Sequence, residues 1–254
     1  MRAISWLVAS ISIMLSACGG TRIGGVVRSG SGEPLADATV SIDGAQAVAT
    51  TDSKGRYALD CAPGNLTLLY VKRGFTSEVV AVEVVPKKRV QAEDVVLYPL
   101  PASVVEGVQW ITPDGLKDLP RTTLECRRQE SESSRTDAWV VPRTLEIGKV
   151  PALSPGTAVF VTKAETDPVL VQLRKEPDGS LVAATVRYTW GAEIGTEQVR
   201  YPVSAKFAGK EQLRVLTVHL EPGLFFWRDT VPRKPSLPVA TASGAIFRVD
   251  GGKT

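Results

Sequence analysis

A chain of 254 residues is long enough for two ordinary domains or one large all-β domain, and with 43% hydrophobic and 22% charged residues it is not a disordered polymer. Its 22 Gly and 17 Pro against two Met, with Val and Thr prominent, favour strands and turns over helices. The formal charge is only +3, and the short basic runs Lys87-Lys88-Arg89 and Arg127-Arg128 are each followed by acidic residues, so they read as solvated turns and a nucleic-acid partner is excluded.

Arg2 and the amino terminus precede an apolar stretch of 15 residues, AISWLVASISIMLSA, which falls short of a membrane span of about 20 residues. A charged start, an apolar middle and a small-residue end describe a cleaved export signal over residues 1–17. Leu15-Ser16-Ala17-Cys18 resembles the lipobox of bacterial lipoproteins. That resemblance implies that the Cys18 thiol receives a diacylglycerol and that Cys18 opens the mature chain, with 18–22 as a lipidated tether. Two or three acyl chains anchor a protein stably where one does not. Gly19, in place of the aspartate that marks inner-membrane retention, points to the outer membrane, on its periplasmic or its outer surface.

Residues 23–99 alternate apolar and polar positions in short runs: IGGVVRS, ATVSID, AVATT, RYALD, LTLLYV, SEVVAVEVV and AEDVVLYPL. Seven strands are expected from them. Asp52 and Gly55 in TTDSKGRYAL, and Pro63-Gly64, supply turn chemistry, so Asp52 with Asp60 reads as turn structure rather than a metal pair. Asn65-Leu66-Thr67 is taken as a chance glycosylation match. GGVVRSGSGEPLADATVSIDG, ATTDSKGRYAL, APGNLTLLYVKRGF and VVLYP occur in the order found in the carboxypeptidase regulatory-like domain, which this stretch resembles. The resemblance implies a transthyretin-like, immunoglobulin-like sandwich that serves as spacer or recognition module and brings no catalytic residues. Cys61 departs from that pattern, standing where the family has an apolar or small residue.

After Pro99-Leu100-Pro101, residues 103–254 read as a second antiparallel β domain, sandwich or barrel, of no recognised family. Its runs include GTAVFVTK, PVLVQLRKE, GSLVAATVRYTW, EQVRYPVSAKF, EQLRVLTVHL, GLFFWRD and GAIFRVD, the last two as a closing pair. Pro177-Asp178-Gly179 and Pro222-Gly223 mark hairpins between consecutive runs. RRQESESSRTD at 127–137 and DTVPRKPSLPVATAS at 229–243 are polar and aperiodic, and are expected to be mobile loops.

Catalytic chemistry finds little to stand on. His219 is the single histidine, set by strand alternation with Thr217 on one face and Leu216, Val218 and Leu220 on the other. No His and Cys cluster suits zinc and no glycine-rich loop suits a nucleotide, so neither catalytic residues, nor a metal, nor a cofactor is expected. With Cys18 lipidated, Cys61 and Cys126 are left, either as a disulfide joining the two domains or as two free thiols. Phe225-Phe226-Trp227 are consecutive, so alternation is expected to turn at least one ring away from the core. Trp227 and Phe225 are thereby candidates for stacking on a glycan, against the competing reading of core packing. The expected function is a non-enzymatic envelope lipoprotein acting as a structural or protein-binding module, with a glycan-binding lipoprotein as the alternative.

Overall fold

The computed structural model describes residues 21–86, 88–101, 107–162, 168–228 and 242–251. The lipobox and Cys18 lie outside the described residues, as does 229–241. The fold is all-β. The first part of the chain forms β1 (Thr21–Ser29), β2 (Thr39–Ile42), β3 (Val48–Thr50), β4 (Arg56–Cys61), β5 (Gly64–Val71), β6 (Glu78–Val84), β7 (Arg89–Gln91) and β8 (Val95–Leu97). The remainder forms β9 (Val108–Thr112), β10 (Gly115–Asp118), β11 (Arg121–Glu130), β12 (Ser134–Val140), β13 (Ala152–Leu153), β14 (Gly156–Thr162), β15 (Val169–Gln172) and β16 (Arg174–Lys175). It continues with β17 (Leu181–Thr189), β18 (Ala192–Glu197), β19 (Val199–Arg200), β20 (Ser204–Ala208), β21 (Leu213–Leu220), β22 (Gly223–Arg228) and β23 (Ala242–Val249). The only helical element described is a 3-10 turn at Ile147–Lys149.

The first unit is a sandwich of two four-stranded sheets, β4-β1-β7 with β8 also on β1, and β3-β2-β5-β6. It has eight strands where seven are expected, because Arg89–Gln91, between the last two expected runs, pairs with β1 at Arg22–Gly24 as a strand of its own, ahead of β8 at Val27–Ser29. Every second residue of β1 points inward, and Ile23 and Val27 meet Val40, Leu59, Leu68 and Leu97 in a core closed to solvent. Tyr57 and Tyr70 sit edge-on in that core with their hydroxyls 2.7 Å apart, so each buried phenol has a partner. Burial pushes both phenols above their ordinary values. The Asp52 carboxylate accepts the N–H groups of Lys54 and Arg56, and Gly55 takes φ +71°, as the turn chemistry requires.

The second unit packs a five-stranded sheet, β10-β9-β14-β21-β20, onto a ten-stranded one. The long sheet runs β16-β17-β12-β11-β23-β22-β15-β19, with β18 also on β17 and β13 on β23. Between the sheets lie Phe160, Leu170, Leu216, Phe225, Trp227 and Phe247. The other face of the long sheet carries a second core of Leu124, Trp139, Val171, Phe226 and Ile246, with Leu145, Ile147 and Val150 from the 3-10 region packed on it. β22 and β23 pair antiparallel from Gly223–Val249 onward, the closing pair anticipated from the sequence. Pro222-Gly223 does not make a hairpin, because β21 and β22 belong to different sheets and the turn carries the chain between layers.

A fourth apolar cluster joins the two units. Tyr98, Val96 and Leu100 from the first pack with Ile111, Val161, Leu213 and Val215 on the outer face of the five-stranded sheet. The β20–β21 turn fastens the joint: Glu211 accepts both the N–H and the hydroxyl of Ser77, at 3.1 and 3.0 Å, and the Gly209 N–H donates to Glu78 at 2.9 Å. Gly209 has φ +67°, and a Cβ there would lie 2.8 Å from the Ser77 carbonyl oxygen, so this close approach needs glycine. Burial opposes ionisation of Glu211, but the Ser77 hydrogen bonds and the Lys210 charge outweigh it and hold the carboxyl below its ordinary value. The chain enters at Thr21, eight residues along β1 from this joint, or about 26 Å of strand.

Candidate functional site

The sequence-derived candidates fare unevenly. Phe225, Phe226 and Trp227 are all closed to solvent, which corrects the expectation that Trp227 or Phe225 offers a stacking face. The physical reason is that β22 has a core on each side: Phe225 and Trp227 enter one, Phe226 the other. Cys61 and Cys126 are both free thiols, so no disulfide joins the units. They are committed to different surroundings: Cys61 sits at the end of β4 opposite Thr21 against the first core, and Cys126 lies on β11 opposite Trp139. Burial raises both thiols above their ordinary value. His219 is exposed on β21 while Leu216, Val218 and Leu220 are buried, as alternation foretells. Among the described residues no group of three His, Cys, Asp or Glu side chains is placed to hold a metal ion.

The surface that does carry polar chemistry is the outer part of the long sheet, and it contains the stretch expected to be a loop. Residues 127–137 form most of a regular hairpin, with Arg127 opposite Ala138, Arg128 opposite Asp137 and Glu130 opposite Arg135. Arg127-Arg128 is therefore strand, not turn, and its two side chains serve opposite faces of the sheet. Polar residues at every position hide the alternation that would reveal it, and cross-strand ion pairs take the place of apolar contacts.

One face of β11, β12, β17 and β18 is open to solvent and forms a groove of about 650 Å³. Its floor is Thr136, Ala138, Val140, Val182 and Thr185. Charged side chains border it in an ordered lattice. Arg174 reaches Glu176 at 2.7 Å and Glu197 at 2.6 Å, Arg187 reaches Glu197 at 3.2 Å, and Arg127 and Arg143 reach Asp178 at 3.5 and 3.7 Å. Hydrogen bonds from the Ser180 hydroxyl and N–H, with the arginine charges, hold Asp178 below its ordinary value. The Glu176 hydrogen bond holds Arg174 above its own. Such exposed, solvent-screened pairs add little to stability, so the lattice is a feature of the surface rather than a support of the fold.

On the opposite face, toward the strand ends, Glu130, Arg135, Tyr188 and Glu193 stand in register across four strands. Asp137, with its side chain 2% exposed, accepts Arg128 at 3.0 Å and Arg135 at 3.2 Å, and the Arg135 guanidinium lies 4.2 Å from the Tyr188 ring centre. Beside this row, Thr189 pairs with Ala192, leaving Trp190-Gly191 as a two-residue hairpin loop with φ +52° and +78°. Both values are those of a type I′ turn, where Asn-Gly is the favoured pair. A tryptophan in the left-handed region costs about 1–2 kcal/mol. Trp190 is nevertheless there and 83% exposed, packing against no core. Its backbone N–H donates to the Ser133 carbonyl oxygen at 3.0 Å, tying the tip of one hairpin to the tip of the other. Glu130, Ser131, Glu132, Ser133, Ser134 and Trp190 are among the residues enclosing a depression of about 290 Å³. Sequence reasoning does not single Trp190 out from the other tryptophans, because its neighbours read as an ordinary strand; the Trp-Gly pair between two alternating runs was the available signal.

Comparison with known proteins gives the first unit a family likeness. The family model of the carboxypeptidase regulatory-like domain matches residues 22–98, the stretch that resembles it in sequence. The search of curated proteins found no match. Among solved structures, an interface mutant of the type II cohesin–X-dockerin complex from Acetivibrio cellulolyticus is 21% identical at a TM-score of 0.29, over 32% of this chain and 58% of that one. A DUF3823 family protein from Bacteroides ovatus is 9% identical at a TM-score of 0.24, over 91% and 98% of the two chains. A streptococcal ancillary pilin is 11% identical at 0.28, over 94% and 61%.

Proposed function

We propose that this chain is a non-catalytic binding module of the bacterial envelope, held to the outer membrane by lipid on Cys18. The first unit acts as a spacer and the second engages an envelope protein through the open face of β11, β12, β17 and β18. The observation that carries the reading is the groove over Ala138 and Thr185, bordered by arginines and carboxylates that pair with one another. Such a border offers donors and acceptors of both signs to an extended polar partner. The apolar and polar fastening at Tyr98, Ser77 and Glu211 supports the spacer role, since it holds the second unit against the end of the first that lies away from the tether.

Two measurements test this. A photoreactive residue at Ala138 should crosslink to an envelope protein in intact cells, whereas the same residue at exposed His219 should not; equal yields at both positions would sink the groove as the binding face. Labelling with an alkyne fatty acid should be lost in Cys18→Ala together with membrane retention, and an unlabelled wild-type chain would remove the tether from the account.

A further inference from the structure

We propose that the depression beside Trp190 is a subsite for a neutral saccharide ring, separate from the protein-binding groove on the other face of the same strands. Three features converge on it. The first is Trp190 itself, an indole 83% exposed at a hairpin position whose left-handed backbone an asparagine or glycine would fill at lower cost. The ring adds nothing to either core, so the fold gives no reason for a tryptophan at this turn. Its flat apolar face is the surface on which the C–H side of a pyranose stacks.

The second feature is the rim. Ser131, Ser133 and Ser134 bring hydroxyls, and Glu130 and Glu132 bring carboxylates, to the same depression. These groups donate to and accept from sugar hydroxyls. The third is what the charges exclude. Arg135, which also lines the depression, is already engaged by Asp137 and by the Tyr188 ring; Glu130 pairs with Arg128 at 3.5 Å, and Glu132 and Glu193 add further carboxylates near the tip. Uronic acids and anionic lipid headgroups are both repelled by that arrangement, whereas an uncharged ring bearing hydroxyls is not. The Trp190 backbone N–H donates to the Ser133 carbonyl, so the two hairpin tips that carry the indole and the serine rim are held side by side.

The test uses the full lipoprotein in detergent micelles on an array of neutral and uronic-acid oligosaccharides. Saturable binding to neutral members is expected, weakened about tenfold in Trp190→Asn, which is the worth of one aromatic contact, and largely recovered in Trp190→Phe. The thermal midpoint of Trp190→Asn should be unchanged or higher, which separates loss of binding from loss of fold. Binding that survives Trp190→Asn, binding confined to uronic acids, or no binding at all would overturn the proposal. So would lipid: in phosphatidylethanolamine and phosphatidylglycerol proteoliposomes Trp190 should stay open to acrylamide quenching, and shielding without sugar would assign the tip to the membrane. None of these results bears on crosslinking at Ala138, so the two readings fail independently.

Discussion

Two aromatic runs in one sheet meet opposite fates. Phe225-Phe226-Trp227 on β22 is wholly buried, and Tyr188-Thr189-Trp190 at the end of β17 leaves one ring buried under an arginine and the other in solvent. The difference lies in what covers each half of the sheet. β22 and β23 are packed by the five-stranded sheet on one side and by the 3-10 region on the other, so alternation sends every ring into a core. The strands β12, β17 and β18 reach past both coverings, and there the side chains are charged, paired with one another and open to a ligand. Aromatic content alone therefore does not mark a binding surface; coverage of the strand decides.

That contrast can be broken by substitution. Trp227→Ala should cost about 3–5 kcal/mol in denaturant unfolding, because it empties a core between two sheets. A near-neutral result would mean that this half of the sheet is not packed as described. Next in size is Asp137→Asn, which removes the buried partner of Arg128 and Arg135; about 1.5–3 kcal/mol should be lost, with Arg135 released from the Tyr188 ring. Trp190→Asn should go the other way, gaining about 1 kcal/mol as the turn loses its left-handed tryptophan. A loss comparable to that of Trp227→Ala would place Trp190 among the structural residues.

The smallest effect is a pH dependence at the joint between units. Glu211 has its carboxyl held below the ordinary value of 4.5, so its contribution is fully present above that pH and fades as pH falls through the lower folded value. Thermal midpoints of the wild type and Glu211→Gln should differ near neutrality and converge as the pH falls below 4.5. A constant gap would show that Ser77 gains nothing from the charge.

The first sandwich was legible because its strands alternate cleanly and its turns carry Asp52, Gly55 and Pro63-Gly64, each with a local physical reason to be where it is. The outer half of the long sheet was not. Residues 127–137 have charges where a core-facing strand has apolar side chains, and their order comes from partners on β12 and β17 that only the folded register brings opposite them. Phe225 and Trp227 misled for the related reason that a sequence shows alternation but not how many faces of a strand are covered. Cys61 and Cys126 form an even pair in composition and face different cores in space.

Hydroxyl-radical footprinting of the protein in intact cells against the same protein purified would test most directly whether the outer half of the long sheet is the working surface. Protection is predicted at Trp190 and along the groove around Thr136 and Thr185, with the exposed Val48 and Val79 of the first unit and Phe207 of β20 unchanged. Protection confined to Val48, Val79 or Phe207, with Trp190 as reactive in cells as in solution, would contradict the account.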